Sequence, residues 1–293
     1  MADHAAPEHG HVHDDVDWAA MAGALTAWDD LEASLNRAIV GWLGVRPGHV
    51  AVDVGSGAGG MAVALVDAVG PPGTVVIADG SAELLAVAQH RARRLDHHLI
   101  AVHADLEHQA LSSVLDKRSV DLVHASAVVH HLDDELAAVT DLASVVRPGG
   151  RVAIAEGGLD NRYLPDDFGI GEPGLEQRLA SEKATWFWRE VRPAAATVRT
   201  GWGWNVLLAG AGLVDVATRS FILDLPPPLS DAARRVVRGV FERELHRNAE
   251  QLGPADQATI RQLLDDDDPR GLMRRPDVFV LGVRTVHVGT VPA

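Results

Sequence analysis

Residues 51–60, Ala51-Val52-Asp53-Val54-Gly55-Ser56-Gly57-Ala58-Gly59-Gly60, join a short β-branched run to four glycines in six positions. Glycines directly after a buried strand let the backbone turn sharply and approach a ligand, while the next helix offers its N-terminal amides. Read literally, Gly55, Gly57 and Gly60 satisfy the dinucleotide fingerprint, with Asp79 at the distance expected of a ribose ligand. Asp53 weighs against that reading. A carboxylate inside the strand, two residues before the first glycine, repels a pyrophosphate and suits a cationic, amine-bearing ligand.

The neighbours repeat one rhythm. Strands are expected at 49–54, 74–78, 99–103, 120–126 and 151–155, with helices over 60–69, 83–95 and 133–146 between them. Strands alternating with ten-to-fifteen-residue helices imply crossovers and a parallel sheet. Upstream, Met21, Leu25, Trp28, Leu31, Leu35, Ile39 and Leu43 recur at helical spacing until Pro47-Gly48. After Glu156 the rhythm is lost. Residues 157–200 read as irregular, followed by a short helix at 202–211, a strand at 214–225, two helices broken at Gly253-Pro254, and a last strand at 277–287. The organisation expected is a His/Asp-rich tail (1–16), N-terminal helices capping a ligand (17–46), an α/β core (47–156) and a Trp-rich cap (157–204). The end of the core (205–293) then carries a helical insertion at 230–264.

Composition excludes several classes. The 293 residues contain no cysteine, so disulfides, thiolate metal sites and cysteine nucleophiles are ruled out. Lys plus Arg total 26 against 41 Asp plus Glu, a formal net charge of -15 that repels nucleic-acid backbones. The scarcity of lysine suggests a high-GC bacterial genome. Neither a targeting signal nor an apolar run of membrane-spanning length is read, so a cytoplasmic protein with no membrane partner is expected. The DDDD run at 265–268 reads as a solvated loop, and no metal site is expected. His4, His9, His11 and His13 read as incidental.

The order DVGSGAGG (53–60), VVIADGS (75–81), HADL (103–106), DLVHAS (121–126) with HHLDD (130–134), and RPGGRVAIAEGG (147–158) resembles the class I S-adenosylmethionine-dependent methyltransferases. The similarity is strongest to their ubiquinone/menaquinone-type small-molecule branch. It covers about residues 43–160 and extends through Leu207–Leu213. The resemblance implies a Rossmann-like α/β fold, with a seven-stranded, mostly parallel sheet ending in an antiparallel hairpin, helices on both faces and a mostly helical cap. It implies S-adenosyl-L-methionine as cofactor, lying over the strand C-termini. Carried over, it places cofactor contacts at Asp53, Gly55, Ser56, Gly57, Asp79, Gly80, Asp105, Leu106 and Ser126. Of these, Asp79 holds the ribose hydroxyls, Asp105 and Leu106 face the adenine, and Asp53 positions the amino-acid end.

Methyl transfer from a sulfonium needs a positioned nucleophile, exclusion of water and, for a hydroxyl acceptor, a base. His131 is the first candidate base, then His130 and Glu156, with Asp160 and Tyr163 behind them. Trp186, Trp188, Trp202 and Trp204 form either an aromatic wall or the core of the cap. Acceptor specificity is expected in 157–204, helped by 230–264 and by Trp18, Met21 and Trp28. The helices at 230–264 carry a basic face of Arg234, Arg235, Arg238, Arg243 and Arg247, read as solvated. The expected activity is methylation of a small molecule, with oxygen favoured over nitrogen or carbon; a homodimer is compatible with it. The alternatives are an NAD-dependent oxidoreductase and a non-catalytic scaffold or regulator.

Overall fold

Parallel strands need crossovers lying on the faces of their sheet, and the alternating pattern supplies them. A computed structural model describes residues 17–93, 98–191, 201–247 and 251–293. The histidine-rich tail and residues 192–200 of the Trp-rich segment lie outside the described residues. The elements run α1 (Trp18–Trp42), β1 (Val50–Val54), α2 (Gly60–Val69), β2 (Thr74–Asp79), α3 (Ala82–Arg93), β3 (Leu99–His103), β4 (Val120–Ser126), α4 (Glu135–Val145) and β5 (Val146–Arg162). They continue as α5 (Leu175–Trp186), α6 (Trp204–Gly210), β6 (Val214–Leu225), α7 (Asp231–Arg247), α8 (Pro254–Leu263) and β7 (Val280–Thr290).

The seven strands lie in the order β3-β2-β1-β4-β5-β7-β6. The first five pair in parallel, and β7 runs antiparallel between β5 and β6. Strand order reverses between β1 and β4, the switch point at which open α/β sheets take ligands. Helices α1, α2, α3, α7 and α8 cover one face over a core that includes Leu35, Leu65, Ile77 and Phe241. Helices α4 and α6 cover the other over Val54, Val123, Ile154 and Leu208.

Several elements differ from expectation. The N-terminal segment is one continuous helix, capped by Asp17, whose Oδ1 accepts the Ala20 N–H at 2.9 Å. Strand β5 does not stop at Ala155. Gly157 and Gly158, with φ of 74° and 119°, form a bulge beyond which the ladder to β7 resumes. A Cβ on Gly158 would lie 2.1 Å from the Val283 carbonyl oxygen, so glycine alone makes this passage. Within the stretch read as irregular, α5 forms and buries Leu175 and Leu179; its otherwise polar composition conceals the helical period. Strand β7 starts at Val280, because Asp277 is held in the preceding turn by Arg275.

The basic face of the inserted helices loses one member. Arg234 is buried, and its guanidinium donates to the carbonyls of Leu229, Leu272 and Arg275, fastening α7 to the segment that leads into β7. Arg234→Ala leaves three carbonyls without their donor, and an unfolding loss of about 2–4 kcal/mol is expected in denaturant titration. Arg235, exposed on the same helix, changes stability by less than about 0.5 kcal/mol when replaced by alanine. Equal effects at the two positions contradict this assignment.

Candidate functional site

The loops after β1, β2 and β3 meet at one edge of the sheet. The glycine loop hangs from the end of β2: Gly55 and Ser56 donate their N–H groups to the Ala78 carbonyl at 2.8 and 3.2 Å. Gly57 donates to Asp79 Oδ2 at 2.8 Å, and Ser81 to Asp79 Oδ1 at 2.9 Å. Burial pushes the Asp79 carboxyl above its ordinary range, against the pull of the Ser81 and Gly57 amides, and the nearby Asp53 charge adds to the rise. Gly57 has φ 52°, and a Cβ there would meet nothing within 4 Å, so the loop turns a bare backbone outward. Gly80 backs onto Asp105. Asp105 Oδ1 accepts the Glu107 N–H at 3.0 Å and Oδ2 lies 2.7 Å from His108 Nδ1. Leu106 packs against the α4–α6 core.

Deeper in the sheet, Asp53 on β1 stands opposite His124 on β4, with 2.9 Å between Oδ1 and Nδ1. Both side chains are buried. Asp53 Oδ2, His124 Nε2 and Ser56 Oγ are buried without a hydrogen-bond partner. Such groups each cost about 1–3 kcal/mol, so their presence beside the glycine loop calls for a ligand or a chemical role.

A carboxylate also occupies the start of α2. Asp29 of α1 accepts the Gly60 N–H, and a Cβ on Gly60 would lie 2.7 Å from its Oδ1. Arg91 Nη1 bridges Asp29 Oδ2 at 2.6 Å and the Ala58 carbonyl at 2.9 Å, while Nη2 reaches Asp30 at 2.8 Å. The first of the amides on which a dinucleotide would seat its pyrophosphate therefore already faces a carboxylate. Burial raises Asp29 to about 6, with Arg91 opposing the shift.

The turn after β4 is built on Glu156, at the C-terminal edge of the parallel sheet. Its Oε1 accepts the N–H groups of Val128 and Val129 at 3.0 Å and of His130 at 3.4 Å, and its Oε2 lies 2.7 Å from His130 Nδ1. The carboxylate accepts, so Nδ1 carries the proton and Nε2 has the basic lone pair. Ala127, at the head of the turn, has φ 54°. For an alanine that conformation stores about 1–2 kcal/mol of strain, which the Glu156 bonds hold in place. Val128 packs onto the glycine loop at Gly55.

The structure thus gives an oriented ring to His130. Its ring lies 4.0 Å from that of His131 and meets Phe187, just beyond α5, edge-on at 5.3 Å. Ser126 closes β4, in register with Ala155. Asp160 pairs with Lys183 at 2.9 Å, at an exposed site. Tyr163 is buried against Phe241, and burial pushes its hydroxyl up to about 12, which leaves it a poor base. Trp186 lies under Arg247, Trp188 packs edge-on against Phe187, and Trp204 packs on the α4–α6 core. His124, Asp29, Arg91 and Phe187 were not singled out by the sequence; only His124, a lone polar ring in an apolar strand, carries a signal there.

Residues 52–154 match the family described as a methyltransferase domain. A demethylmenaquinone methyltransferase of Staphylococcus aureus is 32% identical over 114 residues, 39% of this chain and 45% of that protein. An uncharacterized 37.1 kDa protein of transposon TN4556 from Streptomyces fradiae is 32% identical over 130 residues, 44% of this chain and 36% of that one. The matches span less than half the length of these curated relatives. Among solved structures, a Haemonchus contortus phosphoethanolamine N-methyltransferase in complex with S-adenosyl-L-methionine superposes with a TM-score of 0.52 at 15% identity, over 95% of this chain and 60% of that one. A Haloferax volcanii protein solved with the Trm112 methyltransferase activator gives 0.50 at 20% identity, over 94% and 98%. These likenesses establish the fold.

The charge state of the α1–α2 junction is testable. Folded Asp29 takes up a proton near pH 6, whereas the unfolded chain does so at the ordinary 3.8. The group therefore adds stability as pH falls through 6, by roughly 1 kcal/mol at pH 5. Asp29→Asn removes this contribution. The Tm of wild type minus that of the variant should grow from pH 7 to pH 5, and a constant difference contradicts the shift.

Proposed function

We propose, from the premise that this chain carries a class I S-adenosylmethionine-dependent methyltransferase domain, that it transfers a methyl group to a small-molecule acceptor, with oxygen as the favoured atom. The observation that carries this over a nicotinamide enzyme is the Asp29 carboxylate seated on the N-terminus of α2, which takes the first amide that a pyrophosphate would use and opposes its charge. The residues present fit the cofactor. Asp53 Oδ2 and Ser56 Oγ are buried acceptors without partners, suited to the ligand's amino-acid end. Asp79 retains a second lone pair on each oxygen for ribose hydroxyls. Gly80, Asp105 and Leu106 would border the adenine, and Ser126 the reacting end.

Bound S-adenosylmethionine supplies a methyl group activated by its sulfonium. The chain's own contribution is orientation and one proton transfer. His130, rather than its neighbour His131, is placed to take the acceptor's proton at Nε2, since Glu156 holds Nδ1 protonated. Phe187, just beyond α5, packs edge-on against that ring and shields part of it from solvent. Helix α1, tied over the glycine loop by Arg91, covers the cofactor side.

Titration calorimetry tests the cofactor. The protein should bind S-adenosylmethionine without added metal and should not bind NADH; Asp79→Ala should lose roughly 1.5–3 kcal/mol of affinity. Tight NADH binding overturns the reading. With acceptors found by a methyl-labelled S-adenosylmethionine screen of small metabolites, His130→Ala should lower turnover about 10²–10⁴-fold. His131→Ala should lower it less, and the reverse ranking reassigns the base.

A further inference from the structure

His124 has no part in the chemistry above, yet it sits at the centre of the molecule. It is fully buried on β4, in register with Asp53 on β1 and Ala153 on β5. On the same face of the sheet Ala51, Ile77, Leu122 and Ala153 are apolar and buried, so nothing in the core needs a polar ring at this position. Its Nδ1 meets Asp53 Oδ1 at 2.9 Å, while Asp53 Oδ2 and His124 Nε2 are left without partners. A pair placed for stability would satisfy both ends; this one satisfies only the inner oxygen of the carboxylate. The outer half of the site is formed by the glycine loop, where Ser56 Oγ is a third buried atom without a partner. Asp79 lies near enough for its carboxyl to sense the Asp53 charge. Two carboxylates and a hydroxyl gathered here suit a ligand cation that brings several N–H donors.

We propose that His124 is a positioning residue for the aminoacyl end of the cofactor. By donating Nδ1–H to Asp53 Oδ1, it fixes the carboxylate so that Oδ2 stays available to the ligand's α-ammonium. This rests on the cofactor reading above and extends it to a residue that never touches the cofactor. Loss of His124 frees the Asp53 carboxylate to rotate and to take donors from its surroundings, so the damage should fall on ligands that carry an α-ammonium. Ligands that stop at the thioether should be spared.

The test uses the full chain and titration calorimetry with three probes: S-adenosylmethionine, S-adenosylhomocysteine and 5′-methylthioadenosine, the last lacking the amino-acid end. His124→Leu should weaken the first two about tenfold or more and the third less than about twofold. His124→Asn, whose amide nitrogen takes the place of Nδ1, should restore most of the loss. Should the leucine variant fail to fold, Asp53→Asn must show the same selectivity, because it removes the charge without changing the shape. Equal weakening of all three probes, or none in any, overturns the proposal, as does failure of asparagine to rescue. A wild-type protein that binds none of the three overturns the cofactor reading itself, a result distinct from any pattern among the variants.

Discussion

The glycine loop and the turn after β4 approach each other only because Gly55 has no side chain. A Cβ there would lie 2.1 Å from Val128 Cγ2, an impossible contact. The same residue has φ 63°, which L side chains rarely adopt. Val128 in turn is the first of three successive amides bound by Glu156, and His130 is the third. One missing methyl group thus fixes the spacing between the glycine loop and the turn that carries His130. A larger residue at 55 would displace the turn, break the amide set on Glu156 and release the strain at Ala127.

Electrostatics follow from the same geometry. Five carboxylates, Asp29, Asp53, Asp79, Asp105 and Glu156, gather at or just beneath one edge of the sheet. Four are tolerable together because backbone amides at strand ends and turns point at them, while Asp53 has the His124 ring instead. Asp79 takes two amides, Glu156 three, and Asp29 the first amide of α2 with Arg91 beside it. The edge therefore has a negative field with its anion-binding positions already filled. Such a field favours a cationic ligand over a pyrophosphate. The chain's -15 net charge has the same sign and extends the field outward.

Stability and function pull apart at the centre of the sheet. Folding leaves only a few kcal/mol of net stability, so each buried polar atom without a partner is a large fraction of the total. Of the four such atoms among the described residues, three lie on Asp53, His124 and Ser56, on or beside the glycine loop, and the fourth on Asn161 of β5, while the apolar faces on either side are closely filled. Departures from good local structure that cluster in this way mark where a fold has been shaped for a ligand.

Local pattern was enough for the parallel core. The boundaries of β1 to β4, α2 and α3 agree with the periodicity to within about two residues, because β-branched runs and glycine or proline punctuation act between near neighbours. It failed where distant contacts override composition. Helix α5 is polar and gains its fold from burying Leu175 and Leu179, and β5 continues past two glycines because β7 lies alongside to receive it. Candidate residues were legible as types: acids at or near strand ends, histidines after β4, and an acid following the apolar run of β5. Their pairing was not. Asp53 meets His124 across 71 positions, Arg91 meets Asp29 across 62, and Glu156 selects His130 over His131 across 26. Each depends on strand register and helix placement, which no local period contains. The order of the motifs along the chain determined the kind of protein this is, whereas only the packed sheet, by bringing those distant side chains into hydrogen-bonding range, decided which of them face each other.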